Sequence, residues 1–113
     1  MNKDISKVEK ESTVNSVPAC DVIEQPQGVR VLLDMPGVSS DQLTVDVKDR
    51  ILKVTGRTAA PWHSRQIFYH RDFELSEEID CAKITAKIKN GVLELTLPKL
   101  ESAKVHKISV VAE

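Results

Sequence analysis

The sequence predicts an all-β fold, an antiparallel β-sandwich, and three observations carry the prediction. Apolar and polar residues alternate over short runs, turn-forming residues separate those runs every few positions, and helical periodicity is nearly absent. The clearest instance is the stretch 84–99, ITAKIKNGVLELTLPK. Ile84, Ala86 and Ile88 share one face of its first run and Leu93, Leu95 and Leu97 one face of its second, with Thr85, Lys87, Lys89, Glu94 and Thr96 opposite. Asn90-Gly91 between them suits the two positive φ angles of a type I′ hairpin turn, and Pro98, which has no N–H for the ladder, ends the second strand.

The other elements follow in order. Residues 1–17 carry isolated Ile5, Val8 and Val14 among charged and small polar residues, too little apolar surface to offset the entropy of ordering, and are expected to form a mobile arm. A strand is expected around 20–24, and another over 29–35 after the Gln25-Pro26-Gln27-Gly28 turn, with Val29, Val31 and Leu33 on one face. Pro36-Gly37 closes it. A polar turn over 39–42 precedes Leu43, Val45 and Val47, which alternate with Thr44, Asp46 and Lys48, and Asp49-Arg50 turns the chain into a strand over 51–56. Residues 57–65, with Ala59-Ala60-Pro61 and Trp62, read as a loop. The longest strand is expected over 67–75, with Ile67, Tyr69, Phe73 and Leu75 on one side and Phe68, His70, Asp72 and Glu74 on the other, which leaves an edge open to pairing. Arg71 falls in its apolar register, where a guanidinium must find a carboxylate or reach solvent. Residues 76–83 are polar, with a helical turn expected near Ser76-Glu77-Glu78, and a charged linker follows Pro98 as far as Lys107. The chain divides into an arm at 1–17, one domain at 18–99 and an extension at 100–113.

Composition bounds the function. A chain of 113 residues with 41% hydrophobic content builds one ordinary core and no second. Sixteen Lys and Arg against 17 Asp and Glu give a net charge of −1, which leaves no broad field to gather nucleic acid or anionic lipid. The start, MNKDISKVEKEST, lacks the apolar run of a signal peptide, and no later stretch is long enough for a membrane span, so a soluble cytoplasmic protein is expected. Cys20 and Cys81 lie outside any C-x-x-C spacing and read as two buried thiols. There is no Walker-type glycine loop, no G-x-S-x-G and no H-E-x-x-H, and His63, His70 and His106 are scattered, so neither an enzyme nor a metal site is expected.

The same residues resemble the α-crystallin domain of the small heat-shock proteins. Ala86-x-x-x-Asn90-Gly91-Val92-Leu93 followed by Leu95-x-Leu97-Pro98 is similar to the family's A-x-x-x-N-G-V-L signature, and Asp34-Met35-Pro36-Gly37-Val38 to its D-x-P-G-V turn. Ile51-Leu52-x-Val54-x-Gly56 and His70-Arg71-x-Phe73-x-Leu75 resemble the strands that follow, in the family's order. Ile108-Ser109-Val110 resembles the family's I-x-I/V tail motif. The resemblance spans most of the chain and implies an immunoglobulin-like sandwich.

It also implies an ATP-independent holdase that binds partly unfolded client proteins, self-associates as a dimer or higher oligomer, and needs no cofactor. Two branched side chains two residues apart point the same way from an extended segment, so Ile108 and Val110 would fill adjacent pockets of a groove. The family's groove corresponds here to Val45, Val47, Ile84 and Ala86, residues that also read as ordinary core. Arg71 would lie near the two-fold axis if the strands over 66–75 pair edge to edge, and it reads equally as one half of an intrachain ion pair. Two departures stand out: the arm is short and charged where the family's is longer and apolar, and residues 57–65 are short for the strand that bacterial and plant-type members exchange, which leaves the dimer mode open between strand exchange and edge pairing. The alternatives are a CS-domain-type co-chaperone adaptor, which shares a similar sandwich, and a regulatory subunit that co-assembles with longer paralogues.

Overall fold

The computed structural model describes residues 13–59 and 65–113. Eight strands run in the order β1 (Thr13–Ser16), β2 (Cys20–Gln25), β3 (Gly28–Asp34), β4 (Leu43–Lys48), β5 (Ile51–Arg57), β6 (Gln66–Glu74), β7 (Thr85–Lys89) and β8 (Val92–Pro98). They form two four-stranded sheets, one ordered β1-β6-β5-β4 and the other β2-β3-β8-β7. Val31, Leu33, Leu52, Val54, Leu93 and Leu95 lie between the sheets, each at most 2% exposed, and every one belongs to an interior strand. An inward residue there is covered by the facing sheet and by strands on both sides, which edge strands lack.

The Asn90-Gly91 turn forms as the sequence predicts, with φ angles of 51° and 76° between the paired Lys89 and Val92. It also joins two of the motifs. The Gly91 carbonyl accepts a hydrogen bond from the Met35 amide at 2.7 Å, and a Cβ on Gly91 would lie 2.9 Å from the Pro36 Cα. The Tyr69 hydroxyl donates to the Pro36 carbonyl at 3.3 Å. The Asp-Met-Pro-Gly turn is therefore gripped from both sheets.

Three expectations are corrected and a fourth is extended. Thr13–Ser16, expected in a mobile arm, pairs in parallel with β6 from Thr13 opposite Gln66 to Ser16 opposite Tyr69, because an unfilled backbone edge accepts a strand of almost any composition. For the same reason β6 is not a bare edge over that stretch. A turn does close near Ser76, where the Ile79 amide donates to the Ser76 carbonyl at 3.2 Å, and a separate 3-10 turn follows at Cys81–Lys83, where the Asp80 carboxylate accepts from the Ala82 amide at 3.2 Å and caps it. The linker after Pro98 is not free from its start: Lys99 and Leu100 donate to the Gln27 and Glu78 carbonyls at 2.9 and 2.8 Å, and a 3-10 turn follows at Glu101–Ala103. There the Lys104 ammonium, 2.8 Å from the Glu101 carboxylate, holds that acid below its usual range. Trp62, His63 and most of the arm lie outside the described residues.

Candidate interaction edges

The residues expected to form the groove lie on or immediately before the two edge strands β4 and β7. β1 passes into β2 through only Val17-Pro18-Ala19, so the β1 and β2 edges share one side of the sandwich. β4 and β7 consequently share the other. In β4, Val45 and Val47 stand opposite Val54 and Leu52, which are fully buried, yet both valines are only half-buried. In β7, Ala86 stands opposite the fully buried Leu95 and is exposed, while Ile88 opposite Leu93 is half-buried. Ile84, just before β7, is also half-buried. Each inward row thus passes from sealed to partly open as it reaches the edge strand.

A hollow lined by Val38, Ser39, Ser40 and Ile88 lies where the chain enters β4, at the Leu43 end of that strand. Leu43 and Ile88, half-buried against the core, belong to these rows as much as the four residues named from sequence. Their alternation with polar neighbours was visible, but their place on an edge strand depends on strand order, which alternation does not encode. The outer backbone edges of β4 and β7 pair with no strand among the described residues.

The tail is presented rather than docked. Val105, Ile108, Val110 and Val111 are 90, 79, 93 and 81% exposed, a density of bare aliphatic side chains found nowhere else on the described chain. Val105 and Val111 extend the apolar character of the segment beyond the two positions that the motif names.

Arg71 resolves its conflict with the apolar register by a route other than a carboxylate. Its Nη1 donates to the Pro18 carbonyl at 3.1 Å, and its guanidinium lies 5.3 Å from the centre of the Phe73 ring. It therefore clasps the segment that joins β1 to β2. Beside it on the outer face, His70 Nε2 lies 2.9 Å from an Asp72 carboxylate oxygen. Arg50, legible in the sequence only as half of a turn, has a tertiary role as well. It has φ 63° in a two-residue turn, and its Nη2 donates to the Ile79 carbonyl at 2.8 Å and to that of Ser76, which ties the β4-β5 turn to the loop after β6. Cys20 and Cys81 are free and half-buried. Among the described residues no group of three or more His, Cys, Asp or Glu is placed to hold a metal, and no helix is long and apolar enough to cross a membrane.

A two-sheet antiparallel sandwich with half-open apolar rows on its β4 and β7 edges and a bare aliphatic tail has the architecture of an α-crystallin domain. The chain belongs to the Hsp20/alpha crystallin family, whose model matches residues 21–111. That family comprises non-enzymatic chaperones, generally holdases. The chain is 33% identical over 104 residues to the 22.7 kDa class IV heat shock protein of Pisum sativum, covering 80% of its own length and 53% of that relative. It thus spans about half of the plant protein it matches. Its fold is similar to that of a small heat-shock protein from Xylella fastidiosa, with a TM-score of 0.68 at 27% identity over 86% of this chain and 98% of that one. The hspA structure from Xanthomonas axonopodis gives a TM-score of 0.63 at 30% identity over 74% of this chain and 94% of that one.

Proposed function

We propose that the protein is an ATP-independent holdase that captures partly unfolded proteins on its open edges and keeps them from aggregating. The observation that supports the reading is the pair of edges β4 and β7: inward-facing Val45, Val47 and Ile84 are only half-buried and Ala86 is exposed, and among the described residues the outer backbone edges of both strands are unpaired. Extended polypeptide meets both needs at once, adding backbone hydrogen bonds at the edge and apolar side chains to the half-open rows. Valines two residues apart present pockets at the spacing of alternate side chains in a bound strand. Membership of the Hsp20/alpha crystallin family favours this reading over a CS-type adaptor.

Self-association is part of the proposal. Ile108 and Val110 of one copy dock in the groove of another, and β6 meets its counterpart across a two-fold axis close to Arg71. The setting is the cytoplasm, where the thiols of Cys20 and Cys81 stay reduced. The test is thermal aggregation of a model client, followed by light scattering with purified protein and no nucleotide. Suppression at near-stoichiometric ratio, weakened by Val45→Asp or Val47→Asp, is the expected result. Aggregation at the rate of the client alone would refute the proposal.

A further inference from the structure

The β6 pairing proposed above meets an obstacle: part of the edge it needs is occupied. β6 runs for nine residues, Gln66–Glu74, and β1 lies against Gln66–Tyr69 on the side away from β5. A second copy cannot take the whole strand until β1 leaves. β1 is lightly held. It has four residues, of which three are exposed, its valine Val14 is 37% exposed, and its pairing is parallel, the slightly weaker of the two ladder types. Its firm attachment is at the far end, where Arg71 grips the Pro18 carbonyl at 3.1 Å.

We infer that β1 is a releasable guard: Thr13–Ser16 screens the β6 edge against a second copy of this chain, and swings away about Val17-Pro18-Ala19 to admit that copy's β6. The inference rests on the reading of β6 as the dimer edge. The occupant follows from the edge's self-complementarity. Antiparallel pairing about a two-fold axis that uses the whole strand sets Gln66 opposite Glu74, Ile67 opposite Phe73, Phe68 opposite Asp72, and Tyr69 opposite Arg71, with His70 facing itself. No two like formal charges are opposed, and an aromatic ring meets the guanidinium. A shift of the register by one pair in one direction opposes Arg71 to Arg71, and in the other it opposes Ile67 to Arg71. The guard therefore covers one half of a strand whose two halves need each other. If it is in place about nine-tenths of the time and must open on both copies, the apparent dimer dissociation constant is raised about a hundredfold.

Three variants, each built on Ile108→Ala with Val110→Ala so that the tail cannot link copies, test this by light scattering and sedimentation over a concentration series, with circular dichroism as the check on folding. Val14→Pro with Asn15→Pro removes the amide hydrogen of β1 that faces β6, whichever of the two it is, and leaves the core untouched. Asn15→Cys with Phe68→Cys, in a Cys20→Ser and Cys81→Ser background, locks β1 to its register partner by a disulfide. His70→Pro blocks the edge itself: Ile67 N–H and C=O both bond Thr58 on the β5 side, so the alternate positions Phe68, His70 and Asp72 turn their backbone groups to the open edge. The guard predicts tighter dimerisation by the proline pair, about a hundredfold on the estimate above, and a single chain at every concentration for the oxidised lock, reversed by reductant. Equal or weaker dimerisation by the proline pair overturns the guard while leaving the edge in place. A dimer that survives His70→Pro overturns β6 as the edge, and the guard with it.

Discussion

Replacing Gly91 by alanine tests how far the fold depends on the contact between the hairpin turn and the Asp-Met-Pro-Gly turn. Gly91 sits at φ 76°, where an L side chain costs about 1–2 kcal/mol. Its new Cβ would lie 2.9 Å from the Pro36 Cα, a backbone atom that cannot rotate away, and comparable overpacking costs about 1–3 kcal/mol. Retreat is blocked from the other side, because the Gly91 carbonyl is held by the Met35 amide at 2.7 Å. The sum is about 2–5 kcal/mol, a large share of the roughly 5–15 kcal/mol that keeps a domain folded. Urea denaturation followed by circular dichroism gives the loss directly, with an unchanged slope expected. Gly91→Asn separates the two causes, since asparagine tolerates positive φ but carries the same Cβ. It should recover part of the loss and no more. A change under about 0.5 kcal/mol for Gly91→Ala would show that the two turns are not tightly coupled, against the reasoning here.

Three further outcomes are expected. Ile108→Ala with Val110→Ala removes two aliphatic anchors worth about 1–3 kcal/mol each when buried, so oligomer mass at matched concentration and salt should fall; an unchanged mass, with unchanged amide exchange in the tail, would make the motif a bare terminus. Arg50→Ala loses two charged hydrogen bonds, to the Ile79 and Ser76 carbonyls, and should destabilise the protein by about 1.5–3 kcal/mol, with faster hydrogen exchange around residue 79 as the local signature. The single tyrosine, Tyr69, is raised above 10.0 by burial, so its absorbance titration should have a higher midpoint in the folded protein than in urea. Because the folded value is the raised one, this contribution to stability is intact below pH 10.0 and disappears as pH climbs through the folded value.

The sandwich was legible wherever side chains carried the information. Alternation placed the inward rows of β3, β4, β6, β7 and β8, and Asn90-Gly91 named its own turn. Asp49 and Arg50 form a turn with both φ angles positive, 51° and 63°, although neither is glycine or asparagine. Arg50 is supported there by carbonyls from residues 76 and 79, a tertiary contact that no local rule anticipates. β1 was invisible for a related reason: its sequence, TVNS, carries one apolar side chain, and what orders it is the bare backbone of β6. The groove was half legible. Val45 and Val47 were identified as inward-facing, but their opposition to β7 rather than to covered core follows from a strand order that jumps along the chain. Arg71 was correctly seen as needing a partner, and the partner proved to be a carbonyl more than fifty positions upstream in sequence.

The interleaving of the two sheets bears on how the polypeptide acquires its shape. β4, β5 and β6 follow one another and pair as consecutive antiparallel neighbours, so most of one sheet closes over short loops. The other is completed only when β8 inserts between β3 and β7, and its register runs from Gly28 opposite Pro98 to Asp34 opposite Val92. Loop closure over most of the chain must precede that pairing, so it is the slow, late event. During synthesis Val31 and Leu33, later sealed by β8, emerge on the ribosome long before the strand that covers them has been made. A member of a chaperone family therefore spends its own synthesis as an incompletely folded polypeptide.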